Sequence, residues 1–450
     1  MIRRPLACVI LAAGKGTRMK SDLPKVLHRV AGRPMIGHVL AAVGALDPDH
    51  VVVVVGPGME DVAAAVAPYP TAVQQQQCGT ADAVRAAFGL LEGFHGDVLV
   101  LYGDTPLVTP ATLRAMVDAR ARADDPAVVV LGMRPDDPGS YGRLILNARG
   151  GLEKIVEYLD ASEEERAVTL CNAGLMAFDG ARMRGLIDRI GNSNAKGEYY
   201  LTDVVQIARG DGLPCAVVEG TALEVIGVNS RVELAEVEAI MQRRLRKAAM
   251  DNGATLSDPD TVYFSFDTRL GRDVVVGQNV VFAPGVTVGD RVEIKPFCHL
   301  EQVTVHPGAI LGPYARLRPG AEIGADAHIG NFVEIKNAKI EAGAKVNHLT
   351  YIGDARVGAK ANIGAGTITC NYDGFGKYHT DIGAGAFIGS NSSLVAPVKI
   401  GDGAIVGAGS VVTKDVDTDA LAVARERQQT YSGWAADFRD RKRREKAKKA

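Results

Sequence analysis

Aliphatic residues recur at every sixth position through most of the C-terminal half of this 450-residue chain. A period of six fits neither an α-helix, which repeats every ~3.6 residues, nor a strand, which alternates every ~2. It is typical of a left-handed parallel β-helix, in which three hexads make one triangular coil and aliphatic side chains stack inside. The series contains five-residue steps after Leu300, Ile335 and Ile352. The repeating positions are Val276, Phe282, Val288, Ile294, Leu300, Val305, Leu311, Leu317, Ile323, Ile329, Ile335, Ile340, Val346, Ile352, Val357, Ile363, Ile382, Ile388, Leu394, Ile400, Val406 and Val412.

Glycines mark the same region as one of repeated turns, because 23 of the 51 fall between Gly271 and Gly409. The repeat pauses after Ile363, where CNYDGFGKYHTD (370–381) leaves the coil. Stacked coils alone could form a purely structural rod. A loop that interrupts a rigid solenoid is often functional, so the segment favours chemistry, with a contact between copies of the chain as the alternative.

The N-terminal half, from Leu6 to about residue 230, alternates short apolar runs with longer amphipathic ones. This alternation predicts a Rossmann-like α/β domain with a mostly parallel sheet and helices on both faces. Ligands in such sheets bind beyond the carboxyl ends of the strands. The predicted strands are 6–12, 51–55, 97–103 and 127–132, and the predicted helices lie near 35–46, 79–91 and 110–121.

Two of these strand ends carry residues suited to phosphate chemistry. In LAAGKGTRM (11–19), small residues let backbone N–H groups approach phosphate oxygens closely. Lys15, Arg18 and Lys25 add positive charge, although a glycine turn with solvated lysines remains the alternative. Asp104, at the end of a neighbouring strand, could hold Mg²⁺ beside those phosphates or could cap a turn.

Composition narrows the classes of function. With 51 basic and 53 acidic residues, the net charge of -2 gives no general attraction to nucleic acids or membranes. The six cysteines are scattered without C-x-x-C pairs, which favours free thiols in a cytoplasmic protein over disulfides or a zinc site. We interpret residues 6–12 as a strand instead of a signal peptide, and no later apolar run approaches the ~20 residues of a membrane span.

Several short motifs carry a family resemblance. LAAGKGTRM followed by LPKVL (23–27) resembles the signature of the sugar-nucleotide pyrophosphorylases. Further motifs, in the same order, resemble the bifunctional N-acetylglucosamine-1-phosphate uridyltransferase / glucosamine-1-phosphate acetyltransferase family over nearly the whole chain. In the first half these are QCGTADAV (77–84), YGDTPL (102–107), YGR (141–143), IVEY (155–158), NAKGEYYLTD (194–203) and GVNSR (227–231).

The resemblance implies a uridyltransferase site in the first domain. Arg18 and Lys25 would neutralise phosphate charge while a sugar 1-phosphate attacks UTP, and Asp104 and Asn229 would hold Mg²⁺. The run Gln74–Gln77 leaves the choice of the uracil-reading glutamine open. The residues expected to bind UDP-N-acetylglucosamine are Leu11, Ala12, Ala13, Gly14, Lys25, Gln74, Gly79, Thr80, Tyr102, Gly103, Asp104, Gly142, Glu157, Asn172 and Asn229.

In the β-helix the resemblance implies an acetyltransferase, of a group that typically forms trimers with sites between neighbouring helices. His348 would be the general base that removes a proton from the amine of glucosamine 1-phosphate as it attacks acetyl-CoA. Asn347 stands where a glycine is expected. The residues expected on glucosamine 1-phosphate are Arg318, Lys336, Tyr351 and Asn362, with Asn371 beside them. Those expected on acetyl-CoA are Ala365, Asn371, Tyr372, Ser390, Ala408 and Arg425.

The predicted organisation has four parts. Residues 1–230 form the uridyltransferase domain, 231–252 a helical linker, 253–438 the acetyltransferase domain and 439–450 a basic tail. A calmodulin-type basic helix is the alternative for the linker. We expect the tail to be disordered, with weak attraction to anionic lipid or nucleic acid as its alternative.

Three hypotheses follow for the whole chain. The leading one is a homotrimeric two-site enzyme that acetylates glucosamine 1-phosphate and then couples the product to UTP. The alternatives are a single-activity nucleotidyltransferase with a structural or regulatory β-helix, and a scaffold without catalysis. His348 and the 370–381 loop discriminate between them, since a purely regulatory helix needs neither.

Overall fold

A computed structural model describes residues 4–194 and 196–448 of the protein. The chain divides into two compact units, Met1–Lys247 and Ala248–Ala450. Residues 1–3 of the predicted first domain, Ala195 of the 194–203 motif and residues 449–450 of the tail lie outside the described residues.

The first unit is built on a mixed sheet, in which the strand order is β11-β7-β10-β6-β1-β4-β5, with β8 and β9 added at β10 and a separate β2–β3 pair. Its strands are β1 (Leu6–Leu11), β2 (Arg29–Val30), β3 (Arg33–Pro34), β4 (His50–Val55), β5 (Thr71–Val73), β6 (Asp97–Tyr102), β7 (Val128–Met133), β8 (Arg143–Leu146), β9 (Leu152–Val156), β10 (Cys171–Asp179) and β11 (Cys215–Gly220). Its helices are α1 (Met35–Gly44), α2 (Glu60–Val66), α3 (Thr80–Ala86), α4 (Pro110–Arg120), α5 (Glu163–Arg166), α6 (Gly180–Ile187), α7 (Val204–Gly210) and α8 (Arg231–Asp251), and single 3₁₀ turns lie at Thr17–Met19, Lys25–Leu27, Phe88–Leu91, Leu201–Asp203 and Ala222–Glu224.

Alternate residues of β1 point into two different cores, as the period of a strand requires. Val9 belongs to a core that α3, α6 and α7 close, whereas Cys8 and Ile10 belong to one that α1, α2 and α4 close. The sheet therefore carries helices on both faces, and the predicted α/β architecture is confirmed. The strand β10, which is not among the strands predicted from the sequence, runs antiparallel between β6 and β7.

Helix α8 packs on the first unit over most of its length. Val237 and Ile240 are buried against Met19, Val30 and Met35. The division between the units accordingly falls within α8. The segment predicted as a helical linker (231–252) is therefore helical over Arg231–Asp251, and its apolar side chains cover a core of the first unit.

The second unit is a β-helix of short parallel strands. Its strands are β12 (Thr255–Leu256), β13 (Arg269–Leu270), β14 (Val275–Val276), β15 (Val281–Phe282), β16 (Thr287–Val288), β17 (Glu293–Ile294), β18 (His299–Leu300), β19 (Val303–Val305), β20 (Ile310–Leu311), β21 (Arg316–Leu317), β22 (Ala321–Ile323), β23 (His328–Asn331), β24 (Glu334–Ile340), β25 (Lys345–His348), β26 (Tyr351–Val357), β27 (Asn362–Ile363), β28 (Ile368–Cys370), β29 (Thr380–Ile382), β30 (Phe387–Ile388), β31 (Ser393–Val395), β32 (Val398–Ile400), β33 (Ile405–Val406), β34 (Val411–Val412) and β35 (Leu421–Ala422), with a 3₁₀ turn at Pro259–Thr261. The strands pair in parallel from coil to coil, as in β14 with β17 and β17 with β20.

The hexad prediction is confirmed residue by residue, because every predicted inward position from Val276 to Val412 is at most 4% exposed. Where the series pauses, Thr369 takes the inward place, at 1% exposure. Its hydroxyl oxygen accepts a hydrogen bond from the Gly353 N–H at 2.8 Å, which satisfies a polar atom inside the coil.

A helix, α9 (Trp434–Ala447), begins before the basic tail predicted at 439–450 and includes most of that segment. Strong helix formers dominate it, and Lys442 pairs with Glu445 at 2.7 Å one turn on. None of its described side chains is buried.

Across the described residues, no helix combines the length and hydropathy that a membrane crossing needs.

Candidate active sites

A cleft of about 780 Å³ opens in the first unit beyond the carboxyl ends of β1 and β6. The two strands are paired with Leu11 beside Tyr102, so the loops that follow them meet at one edge of the sheet. Most residues that the sequence analysis assigns to the nucleotide sugar line this cleft. They are Leu11, Ala12, Ala13, Gly14, Lys25, Gln74, Gly79, Thr80, Tyr102, Asp104, Glu157 and Asn172.

Lys25 joins the two expected metal ligands. Its ammonium group donates to the Asp104 carboxylate and, at 3.2 Å, to the Asn229 side-chain oxygen. The backbone N–H of Val228 donates to the Asp104 carbonyl at 3.0 Å, which fixes the two segments together. Two oxygens therefore converge on one cationic group, an arrangement that also suits Mg²⁺, which takes one or two protein oxygens together with phosphates.

Glu233, at the start of α8, holds the Asn229 segment in place. Its carboxylate accepts hydrogen bonds from the backbone N–H groups of Asn229, at 2.6 Å, and Ser230, at 2.7 Å. A carboxylate in the first turn of a helix is favoured by the exposed N–H groups there. We therefore count Glu233 as a positioning residue that the sequence motifs did not reveal.

Two glycines of the cleft differ in what surrounds their Cα atoms. A Cβ atom on Gly79 would lie 2.6 Å from the Tyr199 carbonyl oxygen, and its φ of +120° is one that other residues avoid. A Cβ atom on Gly14 would meet nothing within 4 Å. Gly79 is therefore needed to seat the 199–201 segment, whereas the open space at Gly14 leaves room for a ligand against the backbone.

The glutamine run separates into two buried or half-buried residues and two exposed ones. Gln74 is 4% exposed, and its amide donates to the Asp82 carboxylate at 2.8 Å. Gln77 also lines the cleft and donates to the Ala13 carbonyl. Gln75 and Gln76 are exposed, which narrows the choice of a base-reading side chain to Gln74 and Gln77.

Burial shifts the pKa values of two ionisable groups that line the cleft. Burial raises the pKa of the Glu157 carboxyl, and the hydrogen bond from Thr202 at 3.5 Å offsets this in part. Burial, followed by the nearby Asp104 and Glu157 carboxylates, raises the pKa of Tyr102. The wall is thus poorly solvated, which suits recognition of a sugar through few, well-defined hydrogen bonds.

Four predicted residues do not line the cleft in the described part of the chain. Asn229 contacts it through Lys25, and Gly103 donates its N–H to the Leu11 carbonyl at 2.9 Å. The Gly142 carbonyl accepts from the Asn172 N–H at 2.8 Å, which aligns that side chain. Arg18 is exposed on its 3₁₀ turn and is not among the lining residues.

In the second unit, predicted catalytic and acetyl-CoA residues occupy one column along the β-helix. Asn331 pairs with His348, and the backbone hydrogen bonds of the following corners carry the column onward through Ala365, Ser390 and Ala408. Arg425 donates to the Ala408 carbonyl at 2.6 Å and so reaches the same column. Spatial neighbours in this column are therefore 17 to 25 positions apart in the sequence. Examples are His348 with Ala365 and Ala365 with Ser390.

His348 is oriented by its neighbour in the preceding coil. The Asn331 side-chain oxygen lies 2.7 Å from His348 Nδ1, and His348 itself is exposed. An amide oxygen accepts from a protonated Nδ1, which leaves Nε2 free to take a proton. The left-handed turn after this strand falls on Leu349, at φ +52°, so Asn347 does not need to be the expected glycine.

Cationic groups gather beside this column. Arg318 pairs with Glu334 at 2.8 Å, and the Tyr351 side chain is close enough to act on its charge. The neighbouring Lys377 lowers the pKa of Lys336. Two ammonium groups held together favour binding of an anion such as a phosphate.

The 370–381 loop is tied to the coil through an acidic residue. Asn371 is 7% exposed and donates to the Asp354 carboxylate, which also accepts from Asn337 at 2.6 Å. Burial opposes ionisation of Asp354, but these hydrogen bonds prevail and lower its pKa. Tyr372, by contrast, is 61% exposed at the loop's outer side.

Comparisons with known proteins agree with this architecture. Residues 8–170 match the MobA-like NTP transferase domain, and 267–302, 302–337 and 379–414 match the bacterial transferase hexapeptide (six repeats). The chain is 63% identical to the bifunctional protein GlmU of Paramagnetospirillum magneticum, and the match covers 100% of both chains. It is 65% identical to the bifunctional protein GlmU of Rhodospirillum rubrum, and that match covers 97% of this chain and 98% of the relative.

The chain belongs to the GlmU family. Membership makes it a bifunctional enzyme of cell-wall precursor synthesis, with nucleotidyltransferase activity and acetyltransferase activity, and does not favour a β-helix with only a regulatory role. The solved inositol-1-phosphate CTP transferase from T. maritima overlaps 54% of this chain and 96% of its own, at 17% identity and a TM-score of 0.42, and we draw no conclusion from that overlap.

Some polar residues of these GlmU-family sites escaped the sequence analysis. Lys196, Glu198 and Thr202 line the cleft from within the 194–203 motif, whose individual members were not assigned. In the β-helix, Asn331 could have been found from its spacing of one coil before His348. Glu233 offered no such signal, because its role depends on how α8 starts.

Proposed function

We propose that the chain makes UDP-N-acetylglucosamine in two steps, one in each unit. The β-helix acetylates the amine of glucosamine 1-phosphate, and the first unit then couples the product to UTP. The observation that carries this proposal is the presence, on one GlmU-family chain, of a phosphate-suited cleft around Lys25 and of the oriented His348.

In the acetyl step, the amine nitrogen of glucosamine 1-phosphate attacks the carbonyl carbon of acetyl-CoA. His348 Nε2 takes the amine proton, the new C–N bond forms, and the C–S bond breaks to release CoA. We assign the sugar phosphate to Arg318 and Lys336, and the sugar ring to Tyr351 and Asn362, with Asn371 beside them. We assign acetyl-CoA to Ala365, Asn371, Tyr372, Ser390, Ala408 and Arg425. This assignment is supported by the column of His348, which contains Ala365, Ser390 and Ala408 and which Arg425 contacts.

In the uridylyl step, a phosphate oxygen of N-acetylglucosamine 1-phosphate attacks the α-phosphorus of UTP, and pyrophosphate leaves. This reaction depends on positioning and on neutralising phosphate charge more than on a nucleophilic side chain. We assign charge neutralisation to Lys25, which is supported by its place in the cleft, and to Arg18, which is supported by family resemblance alone.

We further propose that Mg²⁺ binds at Asp104 and Asn229. The two oxygens that meet at the Lys25 ammonium group support this, since they already hold a cation. Across the described residues, no group of three or more His, Cys, Asp or Glu side chains is placed to hold a metal. Two protein oxygens suit an ion that completes its shell with phosphate oxygens and water. When bound, Mg²⁺ would neutralise phosphate charge.

The proposal includes a homotrimer assembled through the β-helix and a cytoplasmic location. The hexapeptide repeats support the trimer. Six free cysteines, of which Cys8 and Cys215 are buried with pKa values raised by burial to about 12, suit a reducing compartment.

The test measures both reactions on each variant. Purified protein should release CoA from acetyl-CoA and glucosamine 1-phosphate, and pyrophosphate from UTP and N-acetylglucosamine 1-phosphate. His348→Ala should abolish CoA release and leave pyrophosphate release intact, whereas Asp104→Ala should do the reverse. As a matched control, His306→Ala removes another β-helix histidine, which is half-buried and pairs with Glu322 at 3.2 Å. Acetylation that survives in His348→Ala would contradict the assignment.

A further inference from the structure

The side-chain amide of Gln74 is held at two points in the wall of the first-unit cleft. Its nitrogen donates to the Gly79 carbonyl oxygen at 3.0 Å and to the Asp82 carboxylate at 2.8 Å. A primary amide nitrogen carries two protons, so these two hydrogen bonds use both of them. Gln74 and Gly79 line the cleft, whereas Asp82 is not among the lining residues. Asp82 therefore acts on the cleft through Gln74.

These two partners determine which way round the amide sits. A carbonyl oxygen and a carboxylate only accept hydrogen bonds, so the amide nitrogen must face them. If the amide turned over, Gln74 Oε1 would face two acceptors, and both hydrogen bonds would be lost at a residue that is 4% exposed. No described residue donates to Gln74 Oε1, and this oxygen is not among the enclosed polar atoms that lack a partner. It is therefore available to a ligand in the cleft.

The same carboxylate oxygen holds the turn that follows the glutamine run. Asp82 Oδ2 accepts a hydrogen bond from the Cys78 N–H at 3.2 Å as well as the one from Gln74. The next peptide N–H, that of Gly79, donates to none of the described residues. Asp82 thus positions an unused acceptor, Gln74 Oε1, and the segment that carries an unused donor, the Gly79 N–H.

An acceptor of fixed orientation distinguishes the two common pyrimidines. Uracil presents its N3–H donor beside a carbonyl acceptor, whereas cytosine presents an N3 acceptor beside an amino donor. Gln74 Oε1 would accept from the N3–H of uracil, but it would face the lone pair of cytosine N3. An amide that was free to turn over would serve either base. Selection between the bases therefore depends on what prevents the amide from turning.

We propose that Asp82 is a positioning residue for nucleotide selection, which holds the Gln74 amide with its oxygen toward the base and so makes the first unit prefer UTP to CTP. This inference rests on the proposed function, from which it takes UTP as the substrate of the cleft. Gln77 is held differently, because the described chain gives its amide a single acceptor, the Ala13 carbonyl. Gln74 is therefore the glutamine whose orientation is fixed.

The test compares UTP with CTP on one preparation of the full-length protein, by pyrophosphate release with N-acetylglucosamine 1-phosphate. Asp82→Ala should lower the ratio of kcat/KM for UTP to that for CTP on the order of tenfold, as expected for the loss of one hydrogen bond to a charged group. Asp82→Asn keeps an oxygen in the place of Oδ2 and should retain most of the preference. The matched control Asp61→Ala removes an exposed aspartate from the first turn of α2 and should leave the ratio unchanged.

The ratio separates positioning from a purely structural role. If Asp82 only stabilised the start of α3, Asp82→Ala would lower the rates with UTP and CTP equally, and an unchanged ratio would overturn the inference. A wild-type enzyme that uses CTP as readily as UTP would overturn the uridylyl assignment together with the inference. A UTP preference that survives Asp82→Ala would overturn the inference alone.

Exchanging the two groups tests the same contact with little change in side-chain volume. Gln74→Glu places two carboxylates against each other and should reduce pyrophosphate release from UTP. Adding Asp82→Asn returns an N–H donor between them and should recover most of the lost rate, while the carboxylate at position 74 can still accept from the N3–H of uracil. A double variant no faster than Gln74→Glu would overturn the inference, and this comparison decides the matter where Asp82→Ala does not fold.

Discussion

The hydrogen bond between Asn331 and His348 gives the sharpest single prediction for the acetyl site. Asn331→Ala removes the acceptor that lies 2.7 Å from His348 Nδ1, so the imidazole loses its preferred orientation. Because His348 is exposed, the net value of the bond is about 0.5–1.5 kcal/mol. Converted at 1.36 kcal/mol per tenfold, this predicts a roughly 2- to 13-fold fall in kcat for acetyl transfer.

The assay follows CoA release at saturating acetyl-CoA and varied glucosamine 1-phosphate. We expect kcat to fall while KM stays near its wild-type value, since Asn331 orients the base instead of holding substrate. Asn331→Asp keeps an acceptor oxygen and should recover most of the rate. An unchanged kcat in Asn331→Ala, or an equal loss of pyrophosphate release, would refute this reasoning.

Three further predictions concern the first unit. Lys25→Met should reduce pyrophosphate release about 100-fold or more in a coupled assay, since a lost charge-stabilising donor usually costs that much, while the surface variant Lys154→Met should not. Gly79→Ala should lower the free energy of unfolding in urea by about 1–3 kcal/mol, and Gly14→Ala should leave it unchanged but weaken UTP binding by calorimetry. Burial raises the pKa of Glu157 above its ordinary 4.5, so the ionised carboxylate destabilises the fold above that pH. Glu157→Gln should therefore be more stable than the wild type near pH 7 and equally stable below pH 4.5. Thermal melts at both pH values check this.

The sequence predicts the two folds for different physical reasons. In the β-helix each hexad repeats one local feature, an aliphatic side chain that points inward. The repeat alone therefore predicts the core positions from Val276 to Val412. In the first unit the sequence predicts the central strands from their apolar runs. It does not predict that β10 inserts antiparallel between β6 and β7, because strand order depends on contacts between distant segments.

The candidate sites likewise contain some contacts that the sequence predicts and others that it does not. Gly14, Asp104 and their neighbours lie on loops after strands, so their meeting at one edge follows from strand direction alone. The contact of Lys25 with both Asp104 and Asn229 does not follow from any local pattern, since Asn229 is 204 residues away and its segment is held by Glu233. Such contacts require the packed structure.

A solenoid turns sequence distance into a fixed spatial step, and this explains how its active site is assembled. One coil separates Asn331 from His348, so the residue that orients the base lies directly beside it. A shift of one residue in the register of the coil between them would separate the two side chains. Variants that alter coil length between residues 331 and 348 should therefore lose acetyl transfer while the uridylyl step continues, which parallel assays of CoA and pyrophosphate release would check.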